Sequence, residues 1–520
     1  MNLTHFTDRQ ILPLVVSSII LIASIVTFNF ASKRTALTLL FLCSLGFGYF
    51  IANLDNFLIL WDEQYHALVA KHMLDNPFSP TLYSIPLLDY DYKNWTGNHI
   101  WIHKQPLFLW QMALSLKIFG INEMAIRIPS IILHAFTTMM VYRIGKICIS
   151  ANVGYYGALF FTVAYFPLEM VAGKFATDHN DLVFLCYVTA SFWAWFEYSS
   201  TQKKFWLILI GIYSGCAVLV KWLPGLLIFA TWLISIGIED KKNLIKLKSY
   251  LPILISGLAS LIVFIPWQIY IFYNFPMEAR NEYLHNLKHF SEPLDGHSGT
   301  FWFHFKAFAE IYGSGFLVPV FYLFGLYLLI KKSNLLIYKA TILSSVLLTY
   351  LFFSLASTKM IAFCLIVSPF FFLGLGSLID SIINFTKYRI NSILFTRSLS
   401  IIILITVCAF LINLSKIQNY HTNWKPNDNC NRKAELNEMA FIDKLKGNLG
   451  NNDYVVFNAN VRLNGHIPIM FYTDYIAYNI IPTLVQLNEI KSQKYKIAIL
   501  DNGSLPQYIL HDKEIIKIIP

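Results

Sequence analysis

The sequence predicts a mainly α-helical protein that crosses a membrane about 12 times and ends in a small α/β domain. Three observations predict it. Apolar residues fill 56% of the 520 positions and charged residues only 13%, against about 25% charged in a typical soluble domain. Apolar runs of about 20 residues, the length that crosses a bilayer core as a helix, recur through most of the chain. Lysines and arginines cluster between those runs, in every second connection, as the positive-inside rule expects.

The expected spans are 11–30, 36–54, 124–146, 153–171, 181–198, 205–220, 222–238, 250–272, 314–330, 340–356, 360–379 and 398–414. The run 11–30 lacks a basic region before it and a cleavage site after it, so it reads as a retained span. The basic connections hold Lys33 and Arg34; Arg143 and Lys146; Lys203 and Lys204; Lys241, Lys242, Lys246 and Lys248; Lys331, Lys332 and Lys339; Lys387, Arg389 and Arg397. That set faces the cytoplasm. The segments 55–123, 174–181, 274–313 and the tail then face outward across the plasma membrane.

The net charge of +10 raises the question of a nucleic-acid partner. None is expected, because the basic residues are not gathered into one patch interleaved with stacking aromatics. Cys43, Cys148, Cys186, Cys216, Cys364 and Cys408 fall in or beside spans and only Cys430 lies in the tail. That pattern implies neither a disulfide framework nor a CxxC metal site.

The outer segments have their own structure. Residues 62–75 place Tyr65, Leu68, Val69, His72 and Met73 on one helical face, which suits a helix lying along the membrane surface. Residues 106–120 are apolar but too short to span, with Pro106 at the start and Gly120 at the end, so a second interfacial or re-entrant helix is expected. Past 414 the composition turns polar. Strands are expected at 454–458, 495–501 and 514–520, with helices near 466–473 and 483–492. The chain thus divides into a membrane domain, 1–414, whose outer loop 55–123 carries the interfacial helices, and a soluble α/β domain, 415–520. It has no internal repeat and no inverted pair of interrupted spans.

Four places could carry chemistry. Asp62 and Glu63 open the first surface helix, where carboxylates complement the helix dipole and can equally act as a general base toward an acceptor hydroxyl. In His103-Lys104-Gln105-Pro106, Lys104 precedes a helix start, where free N–H groups and the dipole favour an anion such as phosphate. An interfacial lysine reaching for the headgroups is the competing reading. Asp178 and Asp181 flank His179 at the mouth of a span, where two carboxylates invite a functional explanation or simply end a polar loop. Zinc is disfavoured there, because no second His or Cys stands at ligand spacing. Lys359, in Ser357-Thr358-Lys359-Met360, either binds a lipid phosphate or anchors a span. The segment 274–313 adds Arg280, His285, Lys288, His289, His297 and His304 at spacings that fit no metal motif. Phosphate or sugar contact ranks above metal there, and interfacial packing stands level with both. Carboxylates as base and cations for a departing phosphate, all at one face, suit a substrate that is both lipid and phosphate.

In this arrangement the chain resembles the membrane glycosyltransferases that use polyprenyl-phosphate sugars. The similar group is the protein mannosyltransferase and lipid A aminoarabinose transferase superfamily, with the GT-C fold. The resembling residues are Trp61-Asp62-Glu63-Gln64-Tyr65, Lys104-Gln105-Pro106-Leu107 with Trp110, Phe119-Gly120, Arg127-Ile128-Pro129-Ser130, Thr177-Asp178, and Ser357-Thr358-Lys359-Met360 with Pro369. They occur in the expected order over nearly the whole chain. The resemblance implies an inverting glycosyl transfer at the outer face, with Asp62 activating the acceptor and Glu63 or Asp178 assisting. It implies that Lys104, with Lys359, holds the donor phosphate. Tyr65, His103, Asp181, His289 and His297 are the expected substrate contacts. Implied partners are a polyprenyl-phosphate sugar such as an undecaprenyl one, membrane lipids, and a lipid, protein or glycan acceptor. No nucleotide is expected, for want of a phosphate-cradling Gly loop, and no obligatory metal, since the lysines supply positive charge. Two departures stand out: Lys-Gln-Pro replaces the usual Lys-Pro-Pro, and a further span precedes the Asp-Glu loop.

A transporter or flippase of a lipid-linked substrate is the alternative. Against it, the spans carry few ionisable residues near mid-depth, where coupling sites usually lie. A third reading is a catalytically inert chain that binds polyprenyl lipids through its tail.

Overall fold

The computed structural model describes residues 6–520 apart from 174–178, 240–244, 314, 391, 424–430, 451–452 and 461–462. Every expected span meets a helix. The first two form a hairpin, α1 (Asp8–Phe30) on α2 (Lys33–Ala52), and two shorter helices follow, α3 (Asp62–His72) and α4 (Leu107–Phe119). Then come α5 (Glu123–Cys148), α6 (Ala151–Val163) with the short α7 (Tyr165–Glu169), α8 (His179–Thr201), α9 (Phe205–Lys221), α10 (Leu227–Glu239) and α11 (Leu251–Asn274). Helices α12 (Pro276–Ser291) and α13 (Phe303–Tyr312) precede α14 (Leu317–Lys332), α15 (Leu336–Leu355), α16 (Ser368–Ile390) and α17 (Ile393–Ile412).

Seven helical segments among the described residues are long and apolar enough to cross a bilayer unaided, and an eighth results if α13 and α14 count as one. The expectation of about 12 rests on runs that include shorter helices, each too short alone for about 20 apolar residues. Helices α6 and α10 have 13 residues each, and α9 has 17.

The bundle closes through small residues. Helix α16 lies between α6 and α14. A Cβ placed on Gly325 of α14 would lie 2.6 Å from the Gly374 backbone of α16, so only glycine permits that approach. Such contacts hold helices together where the surrounding lipid offers no hydrophobic drive for association. Side-chain caps set the helix starts: Asn122 accepts the Ala125 N–H at 2.8 Å and Ser150 accepts that of Val153 at 3.3 Å.

The first connection folds over the bundle. Helix α3 was expected to lie on the membrane with one face covered; instead Glu63 through Ala70 are all buried. It packs on α4 and on a helix of the C-terminal unit, so neighbours cover it on several sides. Gly120 ends α4 with a φ of +83°, a left-handed position that suits glycine.

The tail follows α18 (Leu414–Asn423) and α19 (Arg432–Leu449) as a four-stranded parallel sheet in the order β2–β1–β3–β4. The strands are β1 (Tyr454–Phe457), β2 (Ile476–Ala477), β3 (Lys496–Leu500) and β4 (Ile515–Ile518). Between them lie α20 (His466–Tyr472), α21 (Leu484–Ser492) and α22 (Gln507–Leu510). Strand β1 is fully buried, the near-continuous apolar character of a covered parallel sheet. The expected strands and helices fall within a residue or two of these bounds. The two-residue β2 was not foreseen, because Ile476 and Ala477 are too few to carry an alternation. Lys71 of α3 locks this unit down, its Nζ donating to the carbonyls of Met470 at 2.8 Å and Phe471 at 3.2 Å. Tyr472 adds a 2.5 Å hydrogen bond to Glu123.

Candidate active site

Helix α12 is the surface on which the basic residues meet. Pro276 stands at its start, and Glu282, His285 and His289 follow at spacings of three and four, which places them on one face. The loop between α3 and α4 approaches that face. An antiparallel bridge between Thr81 and Ile100 pins the loop, and Trp101 Nε1 donates to the Trp95 carbonyl at 2.9 Å. His103 then stacks on Trp95, centroids 4.6 Å apart and planes 5° from parallel, with Nδ1 3.1 Å from Glu282 Oε2. The His285 ring lies 5.7 Å from that of His103 and 5.5 Å from that of His289. Lys104 faces His103, Glu282 and His289 electrostatically.

The Ser357-Thr358-Lys359 stretch completes this cluster. Its N–H groups run along the end of α12, Ser357 to Phe290 O, Thr358 to His289 O and Lys359 to His297 O, each at 3.0 Å. Thr358 Oγ1 lies 3.1 Å from His289 Nδ1 and donates to the Glu292 carbonyl at 3.0 Å. Residues about 250 positions apart in sequence, His103 and Thr358, thereby border one patch.

Burial and neighbouring positive charge set the protonation here. Burial, with His285 and Lys104 next in weight, pushes His289 down to about 4, so its imidazole is neutral at neutral pH. Burial also lowers His103. Burial alone would raise the Glu282 carboxyl, but His103, His285 and Lys104 together hold it below the usual range. His103 and Glu282 thus form a close imidazole–carboxylate pair, with Lys104 as a neighbouring charge.

Lys359 has a different place. Its Nζ donates to the carbonyls of Phe353 at 2.9 Å, Ser354 at 2.7 Å and Ala356, closing the C-terminal end of α15. Three donors on three carbonyls leave a phosphate only what it displaces. His297 contributes its backbone carbonyl, and its side chain is half-buried. Tyr65 is buried behind the site: its hydroxyl donates to Thr96 O at 3.3 Å and its ring contacts Trp95 at 5.2 Å.

The carboxylates separate into different roles. Asp62 is half-buried in the first turn of α3, directly after Trp61, whose φ of 77° is rare for so large a side chain. Glu63 is buried and engaged on both oxygens by Arg127, Nε at 2.8 Å and Nη2 at 3.0 Å, while Oε2 also accepts the Ile59 N–H at 2.6 Å. Arg127 donates further to the carbonyls of Ala52, Asp55 and Phe57. A bidentate guanidinium in that position holds the whole approach to Asp62. Asp181 is bound by Lys221 at 2.5 Å. Asp178 lies outside the described residues.

One aromatic wall joins Asp62 to the cations. The Trp61 ring is 6.4 Å from Trp95, whose indole stacks on His103. Sequence reasoning missed Trp95 and Glu282. It also missed a buried joint in which His421 bridges Asp55, at 2.5 Å, and Glu169, at 3.2 Å, with Arg432 3.1 Å from Asp55. No spacing could have found that joint, since its members lie on four separate elements. Among the described residues no three His, Cys, Asp or Glu side chains are grouped to hold a metal ion.

A bundle of apolar helices with a folded-over first loop and a docked α/β tail is the architecture of a multi-pass membrane protein. Comparison with known proteins gives this class its content. Residues 103–270 match the sequence model of the family described as dolichyl-phosphate-mannose-protein mannosyltransferase. The structure is similar to ArnT from Cupriavidus metallidurans bound to undecaprenyl phosphate, with a TM-score of 0.62 and 9% identity over 94% of this chain and 90% of that one. It is also similar to the Archaeoglobus fulgidus oligosaccharyltransferase tethered with an acceptor peptide, with a TM-score of 0.53 and 12% identity over 88% of this chain and 65% of that one. An uncharacterized protein of Aquifex aeolicus is 28% identical over 204 residues. That match spans 38% of this chain and 37% of the relative's length. Together these findings show that the chain shares its fold with those solved structures and that residues 103–270 are similar in sequence to that family.

Proposed function

We propose that this protein transfers a glycosyl group from a polyprenyl-phosphate-linked sugar to an acceptor at the outer face of the plasma membrane, with inversion at the anomeric carbon. The membrane domain, 1–414, carries the reaction and the α/β unit, 415–520, covers it from outside. The observation that carries the reading is the Trp95 wall, with the Asp62 helix on one side and the His103–Lys104 cluster on the other.

In the reaction an acceptor oxygen attacks the anomeric carbon while the bond from that carbon to the phosphate oxygen breaks. Asp62 takes the acceptor's proton or orients it, and the polyprenyl phosphate leaves with the bonding electrons. Charge grows on the leaving phosphate, where Lys104 acts and the N–H groups opening α4 lie close in sequence. Arg127 and Glu63 position Asp62 and take no proton. Lys359 shapes the cation cluster through the backbone of His297 and Thr358. Asp178, outside the described residues, remains the second candidate to assist Asp62. The acceptor is a lipid, a protein or a glycan.

Purified protein given a labelled polyprenyl-phosphate sugar and candidate acceptors tests this. Asp62→Asn and Lys104→Ala should each lower kcat by about a hundredfold or more, in the range for losing one charged group from a preorganised site. Full transfer by both variants would overturn the site, and movement of the lipid across vesicles without transfer would make the chain a flippase. Transfer lost on chelation and restored by a divalent ion would add a metal to the scheme.

A further inference from the structure

A cavity of about 460 Å³ lies among α13, α14, α16 and the α17–α18 break, and none of its lining residues belongs to the cation cluster or to the Asp62 loop. Its level in the bundle is set by helix ends. Gly313 closes α13, and Asn413, with a φ of 46°, ends α17. Lys306 and Lys416 stand at this level, and Lys416 Nζ is 3.0 Å from Glu310 Oε1. The two lysines outnumber the one carboxylate.

Two observations ask for an acceptor of hydrogen bonds in this cavity. Tyr312 and Tyr322 line it, both are buried, and neither phenol oxygen has a hydrogen-bond partner among the described residues. A buried hydroxyl without a partner costs about 1–3 kcal/mol, so two side by side, with ring centroids 4.8 Å apart, are an uncompensated donor pair. The third wall points elsewhere. Phe410 lines the cavity and is 59% exposed on the flank of an apolar span, where the chain meets lipid tails. Donors and lysines at a helix-end level beside a tail-facing aromatic match an amphiphile with an anionic head.

We propose that this cavity is a second anion site, which holds the phosphate headgroup of a membrane lipid while its chain lies along Phe410. Lys306 and Lys416 supply the charge, as basic pockets between membrane helices do for lipid phosphates, and Tyr312 and Tyr322 donate to the phosphate oxygens. The site stands whether or not the chain transfers sugars, because no residue of the proposed reaction lines it.

Native mass spectrometry of the full-length protein from mixed micelles tests it, with phosphatidic acid, phosphatidylcholine and inorganic phosphate as the probes. Phosphatidic acid should be retained about tenfold over phosphatidylcholine. The Tyr312→Phe, Tyr322→Phe double variant keeps the cavity's shape and should lower that retention about tenfold, with an unfolding temperature unchanged or raised. Lys306→Ala with Lys416→Ala should lower it as well, while Lys203→Ala with Lys204→Ala, an exposed basic pair in neither site, should leave it alone. Equal retention of the two lipids, or unchanged retention in both double variants, would overturn the site. Inorganic phosphate displacing the lipid at comparable concentration would overturn the lipid assignment, and an equal loss of retention in Lys203→Ala with Lys204→Ala would overturn the cavity as its place.

Discussion

Two charged regions flank the long connection between α2 and α5 and are built on opposite terms. Beneath it, Arg127 and Glu63 are fully buried and satisfied, the guanidinium reaching the carboxylate and three backbone carbonyls. Beside it, the face of α12 gathers His103, Lys104, His285 and His289 around one carboxylate, Glu282. The first region balances charge against charge, and what results is position. The second sets one lysine and three histidines around a single carboxylate, the arrangement proposed to hold the donor phosphate. Burial distinguishes them further. Asp55, for which burial alone would raise the carboxyl, is held below its usual range by His421, Arg432 and Arg127, whereas His289 answers burial by giving up its proton. A group with an opposite charge in contact stays ionised; one among like charges neutralises.

The sharpest way to break the comparison is to unbalance the buried pair. Arg127→Ala leaves Glu63 buried without its cation, which costs about 3–5 kcal/mol for a pair broken on one side. A large fall in the unfolding temperature of the purified protein is expected, and protease release of the tail, since Tyr472 and Glu123 sit against the same loop. Replacing both members, Arg127→Met with Glu63→Met, should recover much of the loss, because a well-packed apolar pair often substitutes for a buried ionic one. A double variant as unstable as the single one would show that the carbonyl contacts, rather than the charge balance, hold the loop.

The legibility of the fold and of the site divides along the same line. Apolar length and loop charge are local properties of the sequence, so every expected span meets a helix and the tail's strands fall nearly where alternation placed them. The failures come where neighbours decide. Helix α3 carries the pattern of a half-covered surface helix, yet α20, almost 400 residues later, covers another side of it. Glu63 and Asp62 are adjacent carboxylates with the same sequence signal. Only the position of Arg127, on a different helix, separates the buried anchor from the half-buried candidate base. Lys359 reads as a free cation until the α15 carbonyls are seen around it. The histidines His103 and His289 stand out in the sequence through the Lys104 motif and the histidine-rich segment 274–313, but Trp95 carries no signal beyond being aromatic in a chain that is 16% aromatic.

A smaller effect probes how the two regions communicate. Trp95 contacts Trp61 and Tyr65 on the Asp62 side and stacks on His103 on the other. Trp95→Leu keeps an apolar, though smaller, side chain and removes the flat face that sets the His103 ring. Transfer by the purified protein should fall about tenfold, mainly in KM for the lipid donor, because the cations lose their alignment rather than their charge. Far-ultraviolet circular dichroism should be unchanged. A fall confined to kcat would instead place Trp95 with the base.

The smallest expected effect is a pH dependence confined to the cation cluster, and its sign follows from His289. In the unfolded chain this imidazole takes its proton near 6.5, while in the folded protein it does so at about 4. The folded state therefore binds fewer protons between those values, so stability at α12 rises with pH through that window and is fully present above 6.5. On acidification from 6.5 toward 4 the ring must charge while facing His285, Lys104 and His103, with Asp295 nearby favouring the charge. Its bond to Thr358 Oγ1 and the α12 contact with residues 357–359 should loosen in step. Amide hydrogen exchange at Thr358 and Lys359 reads this directly, as faster exchange at pH 5 than at pH 7 after correction for the intrinsic rate. His289→Gln, which keeps a hydrogen-bonding group but cannot charge, should remove the difference. The Arg127–Glu63 joint should show no such response over the same range, and a matching change there would mean that acid opens the whole loop rather than the face of α12.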